Sequence, residues 1–391
     1  MNSIEKKLLS KVDQNFPVIV LFAVTLLGAL IRLSLRRFVS MDAIYFLLPW
    51  YDMISQNGLY EQVGDYNLLY QFLIWIMTKV PVPPLYAYKA LSCAGDYFLA
   101  LAAALLAGQI AEENRLWKGI WAYTAVLLCP VAFFNSALWA QCDAIFTAFS
   151  ILGLYFLEKE RYNWAIVSLG MSFAFKLHAV FVLPVYLFVY FSRRKFSILR
   201  FALVPVTMVA VSAPLLFWGR NPLDTFRIYF QQTSTYEEMA CNYPSFWTVF
   251  CQPGSEEQYY QLKTAAVLFT VCVLAVLMVF WIRENYSTSG RNLLILAFLL
   301  AYTCVLFLPS MHDRYGFLYE MCAIVLAVLM PNTIPLCVGL LLISLNSYGV
   351  YLFAWPSNIM LLSFANMALY LAYIFTLTPL LQKSENTIST I

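Results

Sequence analysis

Charge is what this sequence has least of: 12% of its 391 residues are Asp, Glu, Lys or Arg, against 62% hydrophobic. A soluble domain is about a quarter charged. A largely water-exposed surface is therefore excluded, and the solvent for most of the chain must be lipid. Histidine is nearly absent, with two residues, and the nine cysteines never fall in a CxxC spacing. That leaves no basis for a zinc-type ligand set. A Walker loop, HExxH, GxSxG, DxD and a glycine-rich dinucleotide loop are all missing. ATP-driven transport and soluble-type hydrolysis thereby lose support, and neither a cofactor nor a metal is expected. The net charge of +3 is too small to point to nucleic acid, and no nucleic-acid partner is expected.

What the sequence has instead is long apolar runs. Val18–Leu30, Leu99–Ala107 and Leu293–Leu308 are apolar nearly all round, without the alternation of a membrane barrel. This predicts an all-α, polytopic transmembrane bundle, built as one unit over 1–391. About twelve spans are expected: 17–36, 87–110, 118–135, 144–158, 163–176, 178–191, 198–217, 263–283, 292–308, 316–330, 332–351 and 358–381. Lys6, Lys7 and Lys11 place the 1–16 tail in the cytoplasm. Alternation then puts Arg115/Lys118, Lys159/Arg161, Arg193/Arg194/Lys195, Arg283/Arg291 and the 383–391 tail on that side too. Arg36 and Arg37 fall outside, against the rule. The short stretch 68–80 is laid along the outer leaflet, with PVPP at 81–84 turning the chain back into the bundle.

Four outer loops result: 37–86, 136–143, 218–262 and 309–315, with a polar break at Lys176–His178 on the same side. The first carries amphipathic helices and the acids Asp42, Asp52, Glu61 and Asp65 among Trp50, Tyr51, Tyr60, Tyr66 and Tyr70. For each acid alone, plain solvated charge is the simpler reading. Asp42 is distinguished by Arg32, Arg36 and Arg37 on its N-terminal side, and a carboxylate at the mouth of a bundle can act as a base. In NSALWAQCDAIF, Asn135, Trp139, Gln141 and Asp143 suit a sugar, whose hydroxyls bond to amide and acid while its ring stacks on Trp. Asp143 as a plain helix N-cap is the competing reading. Asp96 and Lys89, seven residues apart on one face of a span, are expected to form an internal structural pair, and Lys176 and His178 to meet a ligand. His312, Asp313 and Arg314 open a span, a natural seat for phosphate. The 218–262 loop is either a lid or a plain loop, and its Cys241 and Cys251 are candidates for a disulfide.

These pieces, in this order, resemble the GT-C membrane glycosyltransferases. The likeness runs to bacterial relatives of the second mannosyltransferase of GPI-anchor synthesis and to the ER glucosyltransferases that use dolichyl-phosphate-glucose. It rests on Asp42 with FLLPWYD, DYNLLY at 65–70, Asp96, NSALWAQCDAIF, FKLHAVFVLP and LPSMHDRYGF. The resemblance implies that Asp42 is the catalytic base of an inverting hexosyl transfer from a polyprenyl-phosphate carrier. The acceptor would be a glycan or glycolipid hydroxyl on the outer face of a bacterial plasma membrane. It also implies that Arg314, His312, Lys176 and His178 hold the donor phosphate. Asp65, Tyr66, Trp50, Asp52, Trp139, Gln141 and Asp143 would contact sugar or acceptor. Asn67-Leu68 stand where the family has prolines, and Asp313 where it has Glu. A transporter of lipid-linked sugars, or a glycan polymerase or ligase, would also explain buried charge. A transporter, however, predicts an inverted repeat of broken helices that the sequence does not display.

Overall fold

The computed structural model describes residues 3–232 and 235–384. Residues 1–2 and 385–391 of the two expected tails lie outside the described residues, as do the side chains of Lys6 and Lys7. The chain is a helical assembly. α1 (Ser3–Leu35) absorbs the polar start expected as a tail and runs straight through Pro17. A π-helical turn, Ala43–Leu47, leads into α2 (Leu48–Asn57) and α3 (Leu68–Met77) of the first outer loop. Then follow α4 (Pro84–Ile110), α5 (Arg115–Leu127), α6 (Pro130–Phe133), α7 (Asp143–Glu158) and α8 (Tyr162–Phe175). Next come α9 (Leu183–Arg193), α10 (Leu203–Ser212), α11 (Asp224–Gln232) and α12 (Glu256–Arg283). α13 (Arg291–Phe307), α14 (Phe317–Leu329), α15 (Ile334–Phe353) and α16 (Ile359–Leu377) complete the chain. Among the described residues the strands are only β1 (Ala240–Cys241) and β2 (Met311–His312), paired in parallel.

A helix stands at each of the twelve expected segments. Six helices are long and apolar enough to cross a bilayer unaided: Leu9–Leu35, Pro84–Ile110, Ile198–Trp218, Glu256–Arg283, Pro331–Phe353 and Ile359–Leu380. Arg115–Leu127 and Pro130–Leu138, bent by 46° at a short break, form either one broken span or a re-entrant loop. The shorter helices α13 and α14 are buried on almost every side and form the centre of the bundle. α1, α12 and α16 lie at its edge, where side chains such as Phe22, Leu268 and Phe375 are exposed. Such apolar edges require lipid around them. The chain is a multi-pass membrane protein.

Small residues let the inner helices approach closely. A Cβ on Gly95 of α4 would lie 2.7 Å from Ile145 Cγ1 of α7, so the start of α7, with Asp143, is drawn against α4. The basic loops share one end of the bundle. Arg193 bonds to Leu157 O and Thr288, Arg291 pairs with Glu112 at 2.7 Å, and Lys383 pairs with Glu284 at 2.9 Å.

Asp96 and Lys89 do not pair with each other. Arg32 Nε donates to Asp96 Oδ2 at 2.8 Å, and Ser136 Oγ donates to the same oxygen. The remaining guanidinium donors reach Gly28 O and Leu127 O, so the buried guanidinium is satisfied, while Asp96 Oδ1 has no hydrogen-bond partner. Lys89 Nζ instead donates to Leu35 O at 3.2 Å and Phe38 O at 2.6 Å, holding the C-terminal end of α1. Removing one member of a buried ion pair leaves the other uncompensated, a loss of about 3–5 kcal/mol. Asp96→Ala should therefore lower the thermal midpoint of the purified protein markedly. The Arg32→Met/Asp96→Leu double variant, by removing both charges, should recover much of that loss. Equal midpoints for single and double variants would show that the pair is not what holds α1 to α4.

Candidate active site

The chain leaves α1 through an exposed Arg36-Arg37 and turns at Ser40, whose Oγ donates to Trp139 O at 3.1 Å and accepts from Ala43 N at 3.2 Å. This clamp fixes the start of the π-helical turn. Asp42 precedes that turn without capping it, so its carboxylate is free to face inward. There Oδ2 accepts from Trp139 Nε1 at 2.8 Å and Gln141 Nε2 at 2.7 Å, and Oδ1 accepts from Tyr351 Oη. Tyr66 Oη donates to Gln141 Oε1 at 3.0 Å, which orients the amide. The arginines expected beside Asp42 are elsewhere: Arg32 is committed to Asp96, and Arg36 and Arg37 are exposed. The cation that faces Asp42 is Arg314, 3.7 Å away.

Behind it lies a second acidic group. Asp143 is the first residue of α7, with Cys142 in the cap position, so the N-cap reading fails. Its carboxylate accepts from Lys176 Nζ and from Asn135 Nδ2 at 2.9 Å, and Arg314 Nε stands 3.4 Å from it. Lys176 reaches it because α8 ends there in extended backbone before a short 3-10 segment, Leu177–Val182. The Arg314 contacts are ion pairs without hydrogen-bond geometry. Its guanidinium lies 5.4 Å over the Trp139 ring, and its buried Nε has no hydrogen-bond partner.

These groups line one cavity of about 970 Å³. Of the expected site residues, Asp42, Trp50, Asp65, Tyr66, Trp139, Gln141, Lys176, His178, His312 and Arg314 all reach its wall. Asp143 lies just beneath it. Asp52 does not: it is exposed on α2 and is removed from the site. Nor is Trp139 a sugar platform. It is fully buried, with Tyr351 stacked on it at 4.7 Å and Arg314 packed against its ring, so its faces are covered. The available ring is Trp50, half-buried at the cavity wall. Gly64, with φ +67°, packs beneath that ring; a Cβ there would sit 2.5 Å from Trp50. The same turn delivers Asp65, which is open to the cavity yet enclosed by protein. Enclosure pushes its carboxyl up, against the pull of Arg314 and Lys176.

The 309–315 loop closes the far wall. β2 holds it to β1, and Ser310 Oγ donates to Tyr236 O and Glu238 O, both at 3.0 Å, so the 218–262 loop is part of the cavity wall. Cys241 and Cys251 are both free thiols. His312 packs 4.1 Å from the Tyr236 ring and His178 3.8 Å from the Tyr315 ring. Burial first, then Arg314 and Lys176, pushes His312 down to about 3, so it serves as a neutral hydrogen-bonding group and not as a charge. Burial likewise drives Asp313 up to about 7, with Arg314 opposing and Asp42 adding to the rise. Its contribution to stability is complete below the ordinary value of 3.8 and is lost as pH rises toward 7. The thermal midpoint should therefore fall between about pH 4 and pH 7, and Asp313→Asn should flatten that slope. An unchanged slope in the variant would assign it to another group. Among the described residues, no three His, Cys, Asp or Glu side chains converge as a metal ligand set.

Sequence reasoning missed Tyr351, Lys263, Tyr236 and Tyr315, all of which reach the cavity. Tyr351 sits in an apolar run and gave no signal. Lys263 begins a span, where lysine is unremarkable.

The sequence model for Glycosyltransferase family 87, a family of the GT-C type, matches residues 65–309. Asp65, Tyr66, Trp139, Gln141, Asp143, Lys176 and His178 fall within the match, and Asp42, Arg314 and Tyr351 flank it. Comparison with curated proteins returns no match. The chain belongs to Glycosyltransferase family 87 and is a membrane glycosyltransferase.

Proposed function

We propose that this enzyme moves a mannose- or glucose-like hexose from a polyprenyl-phosphate carrier to a hydroxyl of a glycan or glycolipid acceptor, with inversion, on the extracytoplasmic face of a bacterial plasma membrane. The observation that carries this reading is Asp42, one carboxylate held by three neutral donors in the wall of a cavity that also contains Arg314. Asp42 takes the proton of the acceptor hydroxyl as its oxygen attacks the anomeric carbon. The bond from that carbon to the phosphate oxygen breaks on the opposite face, and polyprenyl phosphate leaves with the electron pair. Arg314, which lines the cavity beside Asp42, meets the charge that builds on the leaving oxygen, with His312 and His178 as neutral donors beside it. Lys176 acts one step back, through Asp143. Trp50, Tyr66, Gln141 and Asp65 shape the sugar and acceptor positions. The basic loops gathered at one end favour that end as cytoplasmic.

The test is a transfer assay in liposomes with polyprenyl phosphates carrying labelled mannose or glucose and a membrane glycan extract. Label should appear in the glycan, with release of polyprenyl phosphate and an inverted anomeric configuration. Label that stays on its carrier would sink the donor class, and a retained configuration would sink the single displacement.

A further inference from the structure

The cations around the reacting centre are already matched. Arg314 and Lys176 supply two positive charges, and Asp42 and Asp143, ion-paired with them, supply two negative ones. His312 is neutral, and Asp65 in the same wall can only add negative charge. A carrier phosphate bearing one negative charge gains little net attraction from such a cluster. One further cation lines the cavity. Lys263, in the second turn of α12, holds its ammonium 5.0 Å from the Tyr259 ring and 4.6 Å from the Tyr260 ring. Among the described residues no carboxylate stands within ion-pair distance of it.

Its surroundings are those of an amphiphile's entrance. One turn deeper on α12, Val267 and Leu268 line the cavity and are also 42% and 60% exposed on the lipid-facing edge of the bundle. Val180 and Phe181, from the 3-10 segment after Lys176, line the same cavity, Val180 being 36% exposed. A cation at the outer end of a span, above an apolar wall that reaches lipid, matches an anionic head on a long hydrocarbon chain.

Resting on the donor class proposed above, we infer that Lys263 is the residue that seats the carrier: its ammonium receives the phosphate, and the prenyl chain leaves along Val267 and Leu268. Arg314 is then kept for the charge that develops during transfer, and Lys263 supplies the net attraction that brings the donor in. A lysine at this place suits a phosphate that must also depart, because its flexible point charge imposes no fixed fork.

The experiment uses the full chain in phosphatidylcholine nanodiscs, with fluorescent undecaprenyl phosphate as probe and undecaprenol as its uncharged counterpart. Wild type should prefer the phosphate, and Lys263→Gln should lose about ten-fold of that preference. Binding of undecaprenol should be unchanged, and Lys263→Arg should restore most of the loss. A merely structural role would weaken both probes together. A preference kept intact in Lys263→Gln overturns the assignment and leaves the donor class standing. No preference in wild type overturns the donor class and the assignment with it. Equal displacement of the probe by phosphatidylglycerol would make this a general anionic-lipid site and likewise overturn the assignment.

Discussion

Asp42→Asn should lower sugar transfer by roughly a hundred- to ten-thousand-fold, the usual contribution of a positioned general base, while donor binding changes little. Asn is close to isosteric with Asp and keeps an oxygen that can accept from Trp139 Nε1 and Gln141 Nε2. Its amide nitrogen can donate to Tyr351 Oη, because that hydroxyl accepts as readily as it donates. The wall of the cavity therefore survives and only the proton acceptor is lost. Single-turnover transfer, measured beside equilibrium binding of the donor, separates the two quantities. Full transfer by the variant would remove Asp42 from the chemistry.

Arg314→Ala should act on both quantities. Loss of a charged group that stabilises a leaving oxygen costs about a hundred- to a thousand-fold in kcat. Donor affinity should fall as well, because Arg314 lines the cavity and its loss leaves Asp42 and Asp143 with one positive charge fewer beside them. The fold has a reserve at this point: Asp143 keeps Lys176 and Asn135, and Asp42 keeps its three neutral donors. Arg314→Lys should regain part of the rate but not all of it, since a lysine cannot offer the planar fork. Wild-type kcat in Arg314→Ala would move the leaving-group role to another cation.

Much of this site is legible in the sequence alone, because charge in an apolar chain has to be accounted for. Lys176 stood out on that ground, Asp42 by the arginines before it, which turned out to lie elsewhere, and the His312-Asp313-Arg314 run by its place at the start of a span; all of them come to one cavity or its immediate wall. What stayed hidden was pairing. Asp96 and Lys89 share a helix face, yet each has nearer partners on other helices, Arg32 for one and the end of α1 for the other. Sequence spacing cannot report contacts across 64 residues, nor the 309 that separate Tyr351 from Asp42. Trp139 fits a sugar platform by composition, but packing turned its faces to Tyr351 and Arg314 and left Trp50 with the open ring. Span counting was limited by another physical fact. Helices such as α13 and α14, enclosed by other helices, need neither full length nor a lipid-facing surface.

The most direct test is a cryo-EM structure of the Asp42→Asn protein in nanodiscs, trapped with a polyprenyl-phosphate hexose that wild type consumes. The expected density places the anomeric carbon in the cavity beside residue 42, with the phosphate between Arg314 and Lys263 and the chain passing Leu268. Donor density outside this cavity, or a sugar turned away from residue 42, would contradict the assignment of Asp42 as the base.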